Sequence, residues 1–351
     1  EKNIIIISNY LANYIKNIEL ITYDSKFNKY FDKRIKIINF VKSSKIKSSK
    51  YYKYFICLLL LVRSFFQKKE TFIFAFQANI YCIILSILFG KKIITRSNSS
   101  PTGWTKNYIK NFIFWLLLKY PQKIIVNSKK FKKELDKKFN INSKMIYNPL
   151  NKDEIIKESK KNFDFSFFNR EKELKIINVA RFTDQKDHIT LLKAFNIVSK
   201  KIPARLLLIG YGSNKNKILN FLKFNKLENL VKIINFNHNP FKYITKTDLF
   251  VLSSLYEGLP NVILEAMVLK KYVISSNCPT GPSEILEKGK FGSLFPIKNY
   301  KKLSNLILDY YKNKRKYNNK TLKAFKSLDR FDKEKNCKLY LTEVQKLMRS
   351  Y

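Results

Sequence analysis

The sequence has 351 residues, too many for one ordinary hydrophobic core, so its length predicts two domains. Hydrophobic residues make up 45% of the chain and aromatic residues 15%, which argues against a disordered protein. Lys and Arg number 69 against 26 acids, and the net charge of +43 indicates an anionic partner: nucleic acid, a membrane surface or a phosphorylated ligand. Codon bias is an alternative source of much of this charge, because Lys, Ile, Asn, Phe and Tyr, which have AT-rich codons, are all abundant.

Cysteine and histidine are sparse. The four cysteines show no paired spacing, which indicates neither a zinc site nor a disulfide framework and favours a reducing compartment: Cys57, Cys82, Cys278 and Cys337. His188 and His238 are the two histidines, so a histidine-based metal site is not expected. The longest apolar run, residues 72–89, is broken at 77–79 and reads as a strand, a turn and a helix instead of a membrane span.

The first 150 residues predict alternating helices and strands. The expected helices are 3–14, 51–66, 80–89, 104–120 and 129–138, and the expected strands are 19–23, 34–40, 71–76, 92–96, 123–126 and 144–147. A Lys/Ser-rich loop is expected at 42–50 and a polar loop at 97–103.

Residues 151–173 are polar and charged and predict a linker, and residues 174–331 then repeat the alternation as a second domain. The expected strands there are 175–179, 204–209, 231–236, 249–252, 272–276 and 293–296, with helices at 187–200, 214–226, 261–270, 283–288 and 300–311. The tail, 332–351, predicts one further helix. Because several strands are apolar throughout, both halves favour parallel sheets covered on both faces, two α/β domains facing one cleft.

Ligands of open α/β sheets bind outside the carboxyl ends of strands, and several predicted strand ends here are polar. Arg181 and Lys186 follow the strand at 175–179 and would suit a diphosphate, although two solvated basic residues are the commoner arrangement in a Lys-rich chain. Gly210 follows the next strand and allows close backbone approach, whereas most such turns are purely structural.

The stretch 253–267 is the most informative one. A buried-strand pattern at 249–252 leads through Glu257-Gly258-Leu259-Pro260 into a predicted helix that carries Glu265. Amides at a helix N-terminus favour a phosphate, which two acids would repel. The acids make sense as acceptors of hydrogen bonds from sugar or ribose hydroxyls. A plain connection and a solvated helix acid are the alternatives.

Glu257 and Glu265, within Glu-Gly-Leu-Pro-Asn-Val-Ile-Leu-Glu-Ala, resemble the paired-glutamate motif of retaining family 4 glycosyltransferases of the GT-B fold. Arg181 and Lys186 resemble that family's phosphate-binding pair, and residues 279–286 resemble its following loop. Residues 127–128 and 147–149 are similar to its landmarks at the end of the first domain. Such proteins open with a strand and a Gly-Gly-x-Glu loop, and Glu1 resembles the last residue of that loop, so the first strand is expected upstream.

The resemblance implies two Rossmann-like doubly wound domains and a metal-free transfer of sugar from a nucleotide-diphosphate sugar, with UDP as the expected nucleotide. It implies that Glu257 binds the donor sugar and Glu265 the ribose. Many members have a histidine in the first domain; this chain has Asn98 in roughly that place, so acid–base roles of that histidine do not carry over. The expected catalytic residues are Glu257, Arg181 and Lys186, and the expected substrate-binding residues are Gly258, Leu259, Pro260, Asn261, Val262, Glu265, Gly210 and Asn98.

The basic and aromatic segments 42–62, 104–120 and 129–138 have the composition of interfacial helices. They predict peripheral attachment to the inner face of the cytoplasmic membrane and a polyprenyl-linked or other glycan acceptor, as in surface-polysaccharide or lipopolysaccharide synthesis. Core helices with solvated lysines are the alternative. A nucleic-acid-binding protein would explain the charge but leaves Glu257 and Glu265 unexplained. A GT-B epimerase or phosphorylase would keep the fold and change the reaction.

Overall fold

The computed structural model describes residues 2–41, 49–67, 70–98, 107–168 and 172–350. The chain divides into two compact units, Glu1–Pro149 with Lys333–Tyr351, and Leu150–Asp332. The helices are α1 (Lys2–Leu11), α2 (Lys50–Gln67), α3 (Asn79–Leu88), α4 (Tyr108–Leu117), α5 (Lys129–Phe139), α6 (Lys152–Ser159), α7 (His188–Ser199), α8 (Lys215–Phe224), α9 (Phe241–Thr245), α10 (Asn261–Val268), α11 (Pro282–Ile285), α12 (Tyr300–Lys312), α13 (Lys314–Lys326) and α14 (Lys333–Arg349). The strands are β1 (Glu19–Asp24), β2 (Lys36–Val41), β3 (Ile73–Ala75), β4 (Ile93–Ser97), β5 (Lys123–Val126), β6 (Lys144–Met145), β7 (Leu174–Val179), β8 (Ala204–Ile209), β9 (Val231–Ile234), β10 (Leu249–Leu252), β11 (Tyr272–Ser276) and β12 (Ser293–Phe295).

The predicted alternation of strands with helices is confirmed in both units, and so is the parallel pairing of the strands. Three helices were not expected from the sequence: α6, α9 and α13. Residues 42–48 of the predicted loop 42–50, most of the loop 97–103 and the start of the helix 104–120 lie outside the described residues. Within the described ranges, every helix is too short or too polar to cross a bilayer.

The first unit contains two parallel sheets, β1–β2 and β3–β4–β5–β6. Neighbouring residues of β4, an inner strand of the four-stranded sheet, point to opposite faces of that sheet. Ile93 packs into a core with side chains of α2, α3, α4 and α5. Ile94 packs into another core with side chains of α1 and α14. The helix predicted at the C-terminus therefore covers one face of the first unit's sheet.

The segment predicted as a linker is structured from its first residues. Asn151 caps α6: its Oδ1 accepts a hydrogen bond from the Glu154 amide at 3.3 Å, and its Nδ2 donates to Glu154 Oε2 at 2.9 Å. The first bond is the usual N-cap bond to the third residue of a helix, and the second ties the two side chains together. Downstream, Phe163 and Phe165 pack against Tyr243 of α9 with ring centroids 4.6 and 5.2 Å apart. The segment is part of the second unit because its apolar side chains are buried there.

The second unit has one six-stranded parallel sheet in the order β12–β11–β10–β7–β8–β9. The chain therefore runs outward from β7 to one edge, crosses back, and runs outward from β10 to the other edge. β7 and β10 pair directly, with Leu249 opposite Ile176. The order reverses between these two strands, and ligands of doubly wound sheets bind at that position.

Candidate functional site

Two loops leave the carboxyl ends of β7 and β10 at the reversal point, and they are hydrogen-bonded to each other. The Leu255 amide donates to the Gln185 carbonyl at 2.8 Å, and Gln185 Nε2 donates to the Tyr256 carbonyl at 2.8 Å. Ser253 Oγ donates to the Lys186 carbonyl at 3.0 Å. These contacts hold the loop of Lys186 beside the loop of Glu257 before any ligand arrives.

Glu257 lies at the centre of the arrangement. Its Oε1 accepts hydrogen bonds from Lys186 Nζ, with which it forms an ion pair, and from Ser254 Oγ at 2.6 Å. Its backbone carbonyl accepts a hydrogen bond from Thr280 Oγ1. Ser276 Oγ fixes the loop further by donating to the Ser254 carbonyl at 2.6 Å. The carboxylate is thus oriented by residues from the loops after β7, β10 and β11.

The ion pair is poorly accessible to water: the Lys186 side chain is 14% exposed and that of Glu257 8%. In such surroundings each charge depends on the other, because removing one leaves the other buried and uncompensated. The pair is neutral as a unit. Lys186 therefore offsets the repulsion that a lone carboxylate would exert on a phosphate.

Arg181 lies on the same loop as Lys186, yet its surroundings differ. Its side chain is exposed and forms no hydrogen bond or ion pair with the described residues. A guanidinium with this freedom can present two parallel N–H donors to a phosphate.

The predicted binding stretch enters α10 as expected. Gly258, Leu259 and Pro260 are buried, and α10 begins at Asn261, followed by Val262. The first N–H groups of an α-helix have no acceptor within the helix and attract anions. The loop after β11 packs directly on this turn. A Cβ at Gly281, whose φ is +86°, would lie 2.1 Å from the Gly258 carbonyl oxygen, so only glycine fits there.

Glu265 lies inside α10 and is 4% exposed. It is not a solvated helix acid, which was the alternative interpretation of this residue. A carboxylate this deeply buried needs polar partners, since burial disfavours the charge.

Gly210 has a clear packing role. A Cβ at this position would lie 1.9 Å from the Ala180 carbonyl oxygen. The neighbouring Phe182 amide donates to the Tyr211 carbonyl at 2.7 Å. Gly210 thus allows the loop after β8 to lie against the loop that carries Arg181. A substrate contact by Gly210 stays a prediction.

His188, which the sequence analysis treated as an ordinary residue, begins α7 two residues after Lys186. It is buried, its ring packs edge-on to Phe182 at 5.0 Å, and neither ring nitrogen has a hydrogen-bond partner among the described residues. Burial, with a smaller effect of the Lys186 charge, lowers the pKa of His188 to about 4. Its imidazole is therefore neutral at physiological pH.

Two other contributors, Ser254 and Thr280, were not among the predicted site residues. Ser254 lies just after β10, and Thr280 lies in the loop after β11. A polar residue near a strand end was therefore the available signal. Cys278 lies nearby, and burial, reinforced by the charge of Glu257, raises its pKa to about 12. It is a neutral thiol. Among the described residues, no group of three His, Cys, Asp or Glu side chains could hold a metal ion.

Asn98 belongs to the first unit, at the end of β4, and is exposed. Its Oδ1 accepts a hydrogen bond from Arg96 Nη1. Arg96 is 1% exposed and also donates through Nη2 to Asn148 Oδ1 at 2.6 Å and through Nε to Tyr340 Oη at 2.8 Å. Arg96 thus joins β4, the segment after β6 and α14. Its oxygen is thus engaged, and among the described residues its amide N–H groups form no hydrogen bond.

The architecture places the protein in a known fold class. Over 98% of its length the chain superposes on 95% of Anabaena HepE in complex with UDP and glucose, with a TM-score of 0.78 at 16% identity. An identity this low establishes the fold alone. The chain has the GT-B fold, as expected from the sequence.

Residues 159–327 match the family model described as Glycosyl transferases group 1. An uncharacterized glycosyltransferase of Methanocaldococcus jannaschii is 33% identical over 221 residues, 58% of this chain and 54% of the relative. A Campylobacter jejuni relative is 25% identical over 283 residues, 77% of this chain and 75% of its own length. It is an N-acetylgalactosamine-N,N'-diacetylbacillosaminyl-diphospho-undecaprenol 4-alpha-N-acetylgalactosaminyltransferase. The chain thus spans about half the length of the first relative.

Proposed function

We propose that the protein is a retaining glycosyltransferase of family 4, which moves a hexosyl or N-acetylhexosaminyl group from a UDP-sugar to a hydroxyl of a glycan acceptor. The arrangement at the strand-order reversal carries the proposal. There, the exposed Arg181 and the poorly accessible pair of Lys186 and Glu257 lie on two adjacent loops, of which the loop of Glu257 leads into α10. Cations, a hydroxyl-binding carboxylate and a helix N-terminus together suit a nucleotide-diphosphate sugar.

The departing diphosphate is the main chemical demand of the reaction, because negative charge develops on it as the sugar leaves. Arg181, Lys186 and backbone N–H groups between Gly258 and Val262, in the turn that enters α10, would stabilise that charge without a metal. One preorganised donor of this kind typically contributes about 3–4 kcal/mol to lowering the barrier. Lys186 is suited to this role because its position is fixed by Glu257 in advance.

Glu257 would bind hydroxyls of the donor sugar, and Glu265 the hydroxyls of the ribose. For Glu257 this role is compatible with its ion pair, since a carboxylate has about four lone-pair sites and the described contacts use Oε1. The sugar hydroxyls would donate to the remaining positions. Both acids then accept hydrogen bonds from hydroxyl groups and do not act as nucleophiles.

Retention follows if the acceptor attacks on the face from which the diphosphate leaves. The bond between the anomeric carbon and the phosphate oxygen breaks, the bond from that carbon to the acceptor oxygen forms, and the acceptor proton passes to the departing phosphate. This route needs no separate protein base. Asn98 would donate a hydrogen bond to a substrate hydroxyl, and its orientation would be set by Arg96.

A lipid-linked glycan is the proposed acceptor, in surface-polysaccharide or lipopolysaccharide synthesis on the inner face of the cytoplasmic membrane. The name of the Campylobacter jejuni relative, which acts on a diphospho-undecaprenol-linked sugar, supports this proposal. The protein would attach to the membrane peripherally.

The test is transfer of radiolabel from a panel of nucleotide sugars to a bacterial lipid extract. Transfer from one UDP-sugar is expected, with product analysis showing retained configuration. Glu257→Ala should lower the rate by roughly a hundredfold or more, whereas Glu228→Ala, an exposed acid of the same unit, should not change it. Interconversion of the donor sugar without transfer would favour an epimerase instead. Undiminished transfer by Glu257→Ala would contradict the site.

A further inference from the structure

The outer surface of three neighbouring helices in the first unit is apolar. Their inner sides fill the core above the four-stranded sheet, yet their outward sides also carry large apolar side chains. More than half of the large apolar side chains that are exposed among the described residues lie on these helices. They are Tyr51, Tyr52, Phe55, Leu59 and Phe66 of α2, Tyr81, Ile84, Ile87 and Leu88 of α3, and Tyr108, Ile109, Phe112, Ile113 and Leu116 of α4. This set is called the outer apolar face below.

The helices that carry the outer apolar face are neighbours: α2 contacts α3, and α3 contacts α4. Tyr54 of α2 and Tyr81 of α3 have ring centroids 6.5 Å apart, and Phe66 meets Phe89, just after α3, at 5.6 Å. Tyr120, after α4, donates from its hydroxyl to the Ser86 carbonyl of α3 at 3.1 Å. The central helix α3 has no charged residue in its sequence, and its exposed positions 81, 84, 87 and 88 recur at helical spacing.

The exposure is too large for ordinary surface apolar residues. Phe66 is 78% exposed, Leu88 71% and Ile109 72%. Single exposed apolar side chains need no explanation, but a contiguous patch marks an interaction surface.

The charged residues beside the outer apolar face indicate what kind of partner it binds. None of the three helices contains an acid, while Lys53, Arg63 and Lys110 lie on them and Lys119 follows α4. Lys119 Nζ lies 3.4 Å from the centre of the Trp115 ring, and Phe112 stacks on that ring at 5.9 Å. Aromatic and aliphatic side chains bordered by cations match the interface of an anionic lipid layer. The surface of a protein partner would have to be both apolar and acidic to match.

The structure also shows which of the segments predicted to bind a membrane expose apolar side chains. In α5, Phe131, Leu135 and Phe139 are buried in the core, so its exposed side is left to lysines. It is a solvated basic helix. The helix α3 was expected to be an ordinary α/β helix but supplies the centre of the outer apolar face.

We infer that the outer apolar face inserts into an anionic lipid monolayer, with α3 at its centre and α2 and α4 on its flanks. The inference deepens the proposed membrane attachment by assigning its surface and its mode, insertion of side chains instead of purely electrostatic adhesion. It rests on the proposed function only for its biological purpose.

The test uses the full chain and vesicles of phosphatidylcholine with or without phosphatidylglycerol, without donor or acceptor. The wild type should cosediment with the anionic vesicles. Ile84→Ser with Leu88→Ser, and Phe112→Ser with Leu116→Ser, should each weaken binding by at least about tenfold. Leu219→Ser with Phe224→Ser, which alters an exposed apolar pair of α8 in the second unit, should leave it unchanged. Thermal unfolding checks that each variant is folded.

Insertion has its own readout, because Trp104 and Trp115 are the two tryptophans of the chain. In a Trp104→Phe background, brominated phosphatidylglycerol should quench Trp115 fluorescence. Binding that high salt abolishes and that gives no quenching would overturn insertion. The inference is also overturned if the face variants bind like the wild type, or if the face variants lose self-association while the wild type binds no vesicles. Because no nucleotide sugar is present, a failed transferase assay leaves this result unaffected.

Discussion

Each unit holds a cation with little exposure to water near the carboxyl end of a sheet strand, and the two cations differ in their partners. Lys186, after β7, is paired with the carboxylate of Glu257. Arg96, in β4, has the neutral oxygens of Asn98, Asn148 and Tyr340, and no carboxylate of the described residues forms an ion pair with it. Lys186 thus sits in a charge pair that a ligand's own charge can rearrange. Arg96 is a clamp whose three contacts join separate elements.

The largest expected effect comes from breaking the Lys186 pair. Lys186→Met leaves the Glu257 carboxylate buried and uncompensated, which should lower the free energy of unfolding by about 3 kcal/mol. It should also reduce transfer by roughly a hundred- to a thousandfold, because the diphosphate loses a donor. Chemical unfolding and the radiolabel assay measure the two effects.

Its control separates stability from function. Lys186→Met combined with Glu257→Leu should regain much of the lost stability without regaining activity, because no unpaired charge is left. Lys200→Met, at an exposed lysine of the same unit, should change neither. Full activity of Lys186→Met would remove Lys186 from the site.

The next effect comes from the Arg96 clamp. Arg96→Met leaves three acceptors without a donor and should cost about 3 kcal/mol of stability, measured by chemical unfolding. Tyr340→Phe removes one of the three contacts and should cost about 1 kcal/mol. Hydrogen exchange should show α14 losing protection in both variants. No cost for Tyr340→Phe, with protection of α14 unchanged, would show that Arg96 acts through packing alone.

A smaller effect is expected from pH, through His188. Because its pKa is about 4 in the folded protein and 6.5 ordinarily, the unfolded chain binds more protons between these values. The contribution of neutral His188 is complete above pH 6.5 and is lost as pH falls towards 4, about 3 kcal/mol in total. His188→Leu should lose less stability than the wild type over this window. Parallel pH profiles of the two proteins would contradict the burial argument.

Much of the fold follows from the sequence, because local patterns are sufficient for it. Apolar strand runs and helical spacing predicted most elements, and the turn at 257–260 predicted the start of α10. The prediction of a linker at 151–173 was wrong. Its charged residues obscured two signals of a helix: the N-cap Asn151 followed by Glu154, and the apolar Ile155, which is buried.

The site was less predictable than the fold. Lys186 and Glu257 are 71 residues apart and meet only because β10 pairs with β7, an order that no local pattern encodes. The exposure of Ile84 and Leu88 could not be predicted either, since the apolar sequence of a helix by itself predicts that the helix is buried. Glu265, in contrast, was chosen from its motif, and its burial gives it surroundings unlike those of a surface acid.

The most direct test of the central claim, that the reversal point between β7 and β10 holds a nucleotide diphosphate, is calorimetric titration with UDP, using GDP and ADP as comparators. UDP should bind the wild type, and Arg181→Ala should weaken that binding by roughly ten- to a hundredfold through loss of a charge-assisted contact. Lys200→Ala should leave it unchanged. Absence of binding by all three nucleotides, or equal affinity in Arg181→Ala, would contradict the account.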